Sequence, residues 1–216
     1  MPAVAVPRGQ ILAEGHGDPH PILRTGRAPF NDRAVSSASR QAALGAEAPD
    51  LLRVTRPIVL VGLMGAGKTC VGRLLARKLG LGFVDSDEEV AAACACSVAD
   101  IFRVYGEAAF RDGERKVMRR LLGGEPMVLA SGGGAFMDPE TRGVIRERAT
   151  SVWLKAGLDI LVARTVGRPG RPLLEGRDPK AVLAALMAER YPIYAEADVV
   201  VETTNDAKDA VADRVL

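Results

Sequence analysis

The feature that most restricts the fold of this chain is a glycine-rich run at residues 62–69, which reads GLMGAGKT and matches the pattern GxxxxGK[ST]. The preceding residues 58–61 are all apolar, which is typical of a strand buried on both faces of a parallel sheet. Residues 71–79 then carry apolar side chains at helical spacing and end at Gly80, which predicts a helix. A strand, a glycine turn and a helix in this order form a phosphate-binding loop (P-loop), because backbone N–H groups and the positive helix N-terminus converge on an anion. We therefore expect the chain to bind a nucleoside triphosphate.

The P-loop predicts contacts for six consecutive residues. Lys68 is expected to reach the β- and γ-phosphates of the nucleotide, and the hydroxyl of Thr69 to ligate Mg²⁺. The residues expected to surround the phosphates are Gly65, Ala66, Gly67, Lys68, Thr69 and Cys70.

Two carboxylates follow the second short strand, which residues 83–84 predict. Asp85 and Asp87 alternate at the end of this strand. Open α/β sheets bind their ligands at the carboxyl ends of the strands, so both side chains are expected beside the P-loop. One carboxylate can hold a metal ion through water, and the other can accept a proton from an attacking hydroxyl. The alternative is a solvated turn in which Asp87 only caps the next helix.

The rest of the chain alternates short apolar runs with helical patterns. Residues 127–130, 152–154 and 199–201 predict three further strands. Ser97 with Asp100 resembles a capping box, and two Asp-Pro pairs, at 138–139 and 178–179, predict helix starts. The predicted fold class is a three-layer α/β P-loop NTPase domain, similar to the nucleoside monophosphate kinases, with about five parallel strands, helices on both faces of the sheet and a mobile lid.

Composition excludes several classes of function. The net charge of +2 gives no reason to expect a nucleic-acid partner, and no apolar stretch approaches the roughly 20 residues of a membrane helix. Both histidines, His16 and His20, lie near the N-terminus, which excludes a Ser-His-Asp triad and a His-ligated metal from the rest of the chain. We expect a cytoplasmic protein, because its three cysteines form no CxxC pair.

Residues 1–52 differ from the remainder of the chain. Six of the 13 prolines lie in the first 50 residues, which show no sustained apolar periodicity. This composition predicts a disordered extension, because the segment cannot bury enough surface to offset its ordering entropy. A targeting peptide is the alternative, although the segment lacks an apolar core and holds five acidic residues. Residues 53–216 are predicted to form the functional domain.

Six sequence blocks occur in the same order as in the shikimate kinase family, and together they make the chain resemble that family from about residue 57 to the C-terminus. The blocks are the P-loop (62–69), FVDSD (83–87), IF…GEAAFRDGE (101–114), SGGGA (131–135), RPLL (171–174) and RYPIY (190–194). One departure is the segment 202–207, which lacks the proline that the family often carries in its adenine-facing loop.

The resemblance implies an enzyme that transfers the γ-phosphoryl group of ATP to the 3-hydroxyl of shikimate, in the pathway to chorismate and the aromatic amino acids, with Mg²⁺ as cofactor. It implies catalytic roles for Asp87, which would orient or deprotonate the hydroxyl, for Lys68, and for Arg171 in a lid at about residues 165–178. It also implies that Thr69 and Asp85 hold the metal. Arg164 would face the adenine ring.

The resemblance further implies how the acceptor is held. Arg111 and Arg190 would clamp the carboxylate of shikimate, and backbone N–H groups of the glycine triplet, Gly132, Gly133 and Gly134, would approach the same group. From the residues alone, other interpretations remain open. Arg111 could form an ion pair on a helix surface, the triplet could be a plain turn, and Arg190 could be a solvated helix residue.

Two alternative functions belong to different classes. A gluconate-type kinase would share the P-loop but would not need both arginines and the glycine triplet. A ligand-sensing regulator would need a DNA-reading helix-turn-helix before the kinase portion, which the Pro-rich residues 1–50 do not resemble. For the kinase we expect small-molecule substrates only and a monomeric state.

Overall fold

The computed structural model describes residues 54–167, 172–174 and 176–216. Its centre is a parallel five-stranded sheet of order β2-β3-β1-β4-β5. The strands are β1 (Ile58–Val61), β2 (Gly82–Asp85), β3 (Met127–Ala130), β4 (Thr150–Ala156) and β5 (Val199–Thr203). All five coincide with strands predicted from the sequence. The apolar run before the P-loop forms the central strand, in which Val59, Leu60 and Val61 are completely buried.

In the described part of the chain, seven α-helices connect the strands or follow the last one, and they pack on the sheet to give the predicted α/β architecture. The helices are α1 (Lys68–Leu79), α2 (Ser86–Cys94), α3 (Val98–Leu122), α4 (Pro139–Arg148), α5 (Leu158–Thr165), α6 (Pro179–Tyr194) and α7 (Lys208–Val215). Short 3₁₀ turns occupy Ala135–Met137 and Pro172–Leu174. None of the helices among the described residues combines the length and the apolar character needed to cross a bilayer.

The helix starts follow the capping signals in the sequence. The side chain of Ser97 accepts a hydrogen bond from the backbone N–H of Asp100 at 3.1 Å, at the start of α3. Asp138 and Asp178 do the same at the starts of α4 and α6, each followed by proline at the first helical position. Local sequence therefore determines where these helices begin.

Gly106 divides α3 into two helical halves. Its backbone has φ 79° and ψ 172°, a conformation that L side chains rarely adopt, and an added Cβ would meet no other atom within 4 Å. The capping box at Ser97 predicted the start of this helix but not its division at Gly106. The bend redirects the second half of the helix, which carries Arg111 and Glu114 to the edge of the sheet where the P-loop lies.

Two sequence predictions fall wholly or partly outside the described residues. The predicted extension 1–52 lies there entirely. Of the predicted lid at 165–178, residues 168–171 and 175 also lie there, and with them Arg171. The segment joins the end of α5 to the start of α6.

Candidate active site

One cavity of about 630 Å³ runs along the carboxyl ends of β1, β2 and β3. Every candidate site residue from the sequence lines it except Arg171, which is outside the described residues. The cavity extends from the P-loop to the glycine triplet after β3 and to the second half of α3. The fold thus brings together side chains that are more than 100 residues apart in sequence.

The P-loop wraps the start of α1 through glycines with positive φ. Gly65 has φ +83° and Gly67, the N-cap of α1, has φ +99°. This conformation turns successive backbone N–H groups inward, as an anion site requires. The ammonium group of Lys68 donates to the carbonyl oxygens of Gly62 at 2.8 Å and Leu63 at 3.0 Å. These bonds hold Lys68 against the P-loop, where the phosphates of the nucleotide are expected to bind.

Asp85 links the P-loop to α2. Its Oδ2 accepts a hydrogen bond from the hydroxyl of Thr69 at 3.0 Å, and its Oδ1 accepts from the backbone N–H of Asp87 at 3.1 Å. The N-cap of α2 is therefore Asp85, so the capping role that the alternative interpretation gave to Asp87 belongs to its neighbour.

The oxygens at this corner fit Mg²⁺. Thr69 supplies a hydroxyl and Asp85 a carboxylate, which are the hard oxygen ligands that Mg²⁺ prefers. Nowhere in the described part of the chain do three or more Asp, Glu, His or Cys side chains form a group that could hold a metal alone. This donor set suits an ion held by one carboxylate, a hydroxyl and substrate phosphates.

Arg111 and Glu114 form a pair inside the cavity. Nη1 of Arg111 donates to Oε2 of Glu114 at 2.7 Å, and Nη2 donates to Oε1 of Glu107 at 3.1 Å. The Glu114 side chain is only 2% exposed, so this contact is buried, whereas Glu107 is 67% exposed and its contact with Arg111 is a helix-surface ion pair of the kind that the residues alone left open. Burial raises the pKa of Glu114, and the charge of Asp87 raises it further, while Arg111 opposes both effects.

Glu114 lines the cavity but was not among the site residues expected from the sequence, where it only ended the block 101–114. Its Oε1 is buried and has no hydrogen-bond partner among the described residues. The position three residues after Arg111 in a helix was the available signal, because residues at this spacing share a helix face. Only the structure shows that this face is buried.

The glycine triplet lies against the polar side chains of the cavity. A Cβ at Gly132 would be 2.6 Å from Oδ1 of Asp87 and 2.7 Å from Oε1 of Glu114, and a Cβ at Gly134 would overlap the guanidinium of Arg111. A side chain at either position would therefore displace these polar groups, which a plain surface turn would not do. The contacts at Gly132 also show that the carboxylates of Asp87 and Glu114 converge on one point.

Arg190, on α6, reaches the same turn from the other side. Its Nη1 donates to the carbonyl oxygen of Gly133 at 3.1 Å, and its side chain is 13% exposed, so it is not a solvated helix residue. Its Nε is buried and has no hydrogen-bond partner among the described residues. The nearest carboxylate oxygen, on Glu189, is 3.8 Å from Nε, which is too far for a hydrogen bond.

At the far end of the cavity, Arg164 joins the P-loop to the segment after β5. Its Nη2 donates to the carbonyl of Thr204 at 2.6 Å, and its Nη1 lies 3.4 Å from the carbonyl of Gly65. Asp206, which lines the cavity here, pairs with Arg214 at 2.8 Å. These contacts organise the segment that lacks the expected proline.

A parallel sheet of this order, with a P-loop on its central strand and an arginine-lined acceptor pocket beside it, defines a P-loop kinase for small anionic molecules. The family model for shikimate kinase matches residues 64–216. The chain belongs to the shikimate kinase family, and it is therefore an enzyme of the kinase class with ATP as phosphoryl donor.

Similar proteins agree with this assignment. The chain is 60% identical over 164 residues to a shikimate kinase of Paramagnetospirillum magneticum, covering 76% of this chain and 84% of the relative. It is 57% identical over 148 residues to one of Caulobacter vibrioides, covering 68% and 74%. A solved shikimate kinase of Acinetobacter baumannii in complex with shikimate is similar at a TM-score of 0.72 and 37% identity, covering 74% of this chain and 90% of that one.

Proposed function

We propose that this kinase transfers the γ-phosphoryl group of ATP to the 3-hydroxyl of shikimate, giving ADP and shikimate 3-phosphate. The observation that carries the proposal is one cavity that joins a P-loop to two arginines from separate helices, Arg111 and Arg190. A P-loop binds the donor, and two guanidinium groups suit an acceptor that carries a carboxylate.

The acceptor is bound by charge and by hydrogen bonds. Arg111 and Arg190 hold its carboxylate, aided by backbone N–H groups of the glycine triplet. The carboxylates of Asp87 and Glu114 accept hydrogen bonds from its ring hydroxyls, because both converge on Gly132 and Glu114 has an oxygen without a partner among the described residues. A pocket that combines carboxylate acceptors with guanidinium donors matches a polyhydroxy acid.

The transfer step depends mainly on positioning and on charge, because a phosphoryl group needs little covalent help from the protein. Asp87 orients the attacking hydroxyl and accepts its proton at a carboxylate oxygen. Lys68 exchanges its contacts with the P-loop carbonyls for contacts with the phosphates and stabilises the charge on the transferring group. Arg171, from the lid, adds a second positive charge there, and closure of the lid excludes water as a competing acceptor.

Thr69 and Asp85 would hold Mg²⁺, which when bound offsets phosphate charge. Gly65, Ala66, Gly67 and the backbone of Cys70 surround the phosphates, and Arg164 contacts the adenine ring. We further propose a cytoplasmic monomer in which residues 53–216 suffice for activity, with a lid at about 165–178 that moves during turnover.

The test is a coupled ADP-release assay on the full chain with Mg-ATP and shikimate, gluconate or no acceptor. We expect turnover with shikimate only. Asp87→Asn should lower kcat by at least about 100-fold, as expected for loss of a general base. Arg111→Ala should mainly raise KM for shikimate, because it removes a charged contact to the bound acceptor. Turnover with gluconate alone would agree with ATP binding at the P-loop but would overturn the assignment of shikimate as the acceptor.

A further inference from the structure

We propose that Tyr194 is a positioning residue for acceptor binding. Its hydroxyl holds the carbonyl of Gly133, and through it Arg190, so that the guanidinium of Arg190 is fixed at the wall of the cavity where the acceptor's carboxylate is expected. This inference rests on the proposed function and adds a residue that does not line the cavity.

The geometry consists of two donors on one carbonyl. The Tyr194 hydroxyl, at the end of α6, donates to the Gly133 oxygen, and Nη1 of Arg190 donates to the same oxygen at 3.1 Å. A carbonyl oxygen has two lone pairs, so these donors saturate it. The two side chains lie one helical turn apart, which places them on the same face of α6.

This arrangement divides the guanidinium of Arg190 into two sides. Nη1 is used to hold the turn, whereas Nε is buried without a hydrogen-bond partner among the described residues. Arg190 lines the cavity, so the bond from Nη1 to Gly133 fixes the orientation in which its guanidinium group meets an acceptor.

The same contact fixes a backbone donor. In a trans peptide the carbonyl of one residue and the N–H of the next point in opposite directions. With the Gly133 oxygen held toward α6, the N–H of Gly134 is directed away from α6. An added Cβ at Gly134 would overlap Arg111, so this part of the turn lies against the other half of the acceptor clamp.

The hydroxyl of Tyr194 is suited to this role because it remains a donor. Tyr194 is completely buried, and burial raises its pKa to about 12, while the neighbouring Arg190 works in the opposite direction. Its ring packs against Phe136 and Trp153, with centroid distances of 6.4 and 6.0 Å. Substitution by phenylalanine therefore removes the hydrogen bond and keeps the packing.

The chain offers a matched control in Tyr191. This residue also lies on α6, its ring packs edge-on against Trp153 at 4.9 Å, and its hydroxyl donates to the carbonyl of Ala156. Neither Tyr191 nor Ala156 lines the cavity. Tyr191→Phe therefore removes the same kind of bond from the same aromatic cluster without touching the glycine triplet.

The experiment compares wild type, Tyr194→Phe and Tyr191→Phe in full chains. We expect Tyr194→Phe to raise KM for shikimate about tenfold, the equivalent of about 1.4 kcal/mol for one buried hydrogen bond. Its kcat and its KM for ATP should stay within about twofold of wild type. Both variants should lose similar thermal stability, and Tyr191→Phe should keep the wild-type KM for shikimate.

A second measurement tests the route of the effect. In an Arg190→Ala background, Tyr194→Phe should add little further loss, because the side chain that it positions is gone. Equal changes in both tyrosine variants, additivity with Arg190→Ala, or an unchanged KM for shikimate would overturn the inference. Isothermal titration calorimetry with shikimate measures the same loss as a dissociation constant. A wild type that neither binds nor phosphorylates shikimate would overturn the proposed function itself, and this inference with it.

Discussion

Replacing Gly132 by alanine should separate acceptor chemistry from nucleotide binding. The new Cβ would lie 2.6 Å from Oδ1 of Asp87 and 2.7 Å from Oε1 of Glu114, whereas ordinary van der Waals contact begins at 3.4 Å. The carboxylate oxygens would therefore have to move by about 0.8 Å in Asp87 and about 0.7 Å in Glu114. Glu114 has little room to do so, because it is buried and bonded to Arg111.

The cost of that displacement falls mainly on catalysis. A misplacement of about 1 Å in a reacting geometry can cost about 100-fold in rate, so we expect kcat/KM for shikimate to fall by about 10- to 100-fold. The P-loop contacts of Lys68 do not involve Gly132, so nucleotide affinity should remain within about twofold. Initial rates at varied shikimate and a fluorescent ADP-analogue titration measure the two quantities.

Gly143→Ala is the control for this substitution. Gly143 lies inside α4, where an added Cβ has nothing within 4 Å. Alanine there favours the helix by up to about 1 kcal/mol and should leave kcat/KM unchanged. If Gly132→Ala kept kcat/KM within threefold of wild type, the convergence of Asp87 and Glu114 on this position would not matter for the reaction.

Three further predictions concern stability, pH and nucleotide binding. The pKa of Glu114 is raised above its ordinary 4.5, so the folded state holds more protons than the unfolded state just above that pH, and stability should fall as pH rises there. In thermal melts at several pH values, Glu114→Gln should remove the fall in stability that Glu114 causes. The control is Glu107→Gln, which changes an exposed glutamate. An unchanged pH dependence in Glu114→Gln would contradict the assignment of this effect to Glu114. Gly106→Ala should lower the free energy of unfolding by about 1–3 kcal/mol through backbone strain alone. Urea titration measures this value, with Gly143→Ala as the control. Equal free energies of unfolding in the two variants would disprove the prediction. Arg164→Ala should raise KM for ATP about tenfold, because it removes a cationic contact to the adenine ring, and should leave KM for shikimate unchanged. A change in KM for shikimate without a change in KM for ATP would show that Arg164 acts on the acceptor and not on the nucleotide.

The elements of the fold could be predicted from sequence because their signals are local. The apolar run of β1, the glycines of the P-loop and the capping side chains of Ser97, Asp138 and Asp178 all act within a few residues of where they stand. The residues that line the cavity could be proposed through the resemblance to shikimate kinases, since the six blocks place them in order along the chain.

The remaining features depend on contacts that are distant in sequence. Glu114 is an ordinary helix residue in the sequence, and its burial beside Asp87 and Gly132 depends on elements that are distant along the chain. The carbonyl of Gly133 likewise meets its two donors on α6, more than 50 residues away. Neither the periodicity nor the composition of the sequence predicts these contacts.

The choice of residue at position 85 satisfies two demands of the chain at once. One oxygen of Asp85 begins α2 and the other receives the hydroxyl of Thr69, so the side chain must be short and must accept hydrogen bonds at both ends. Asparagine could still begin the helix, since it is an equally good cap, but it has only one accepting oxygen and no charge for a cation. Glutamate keeps both oxygens but is not among the favoured N-cap residues. Among the common amino acids aspartate alone meets both requirements, and a substitution here would give two separable defects, one in helix stability and one in metal affinity.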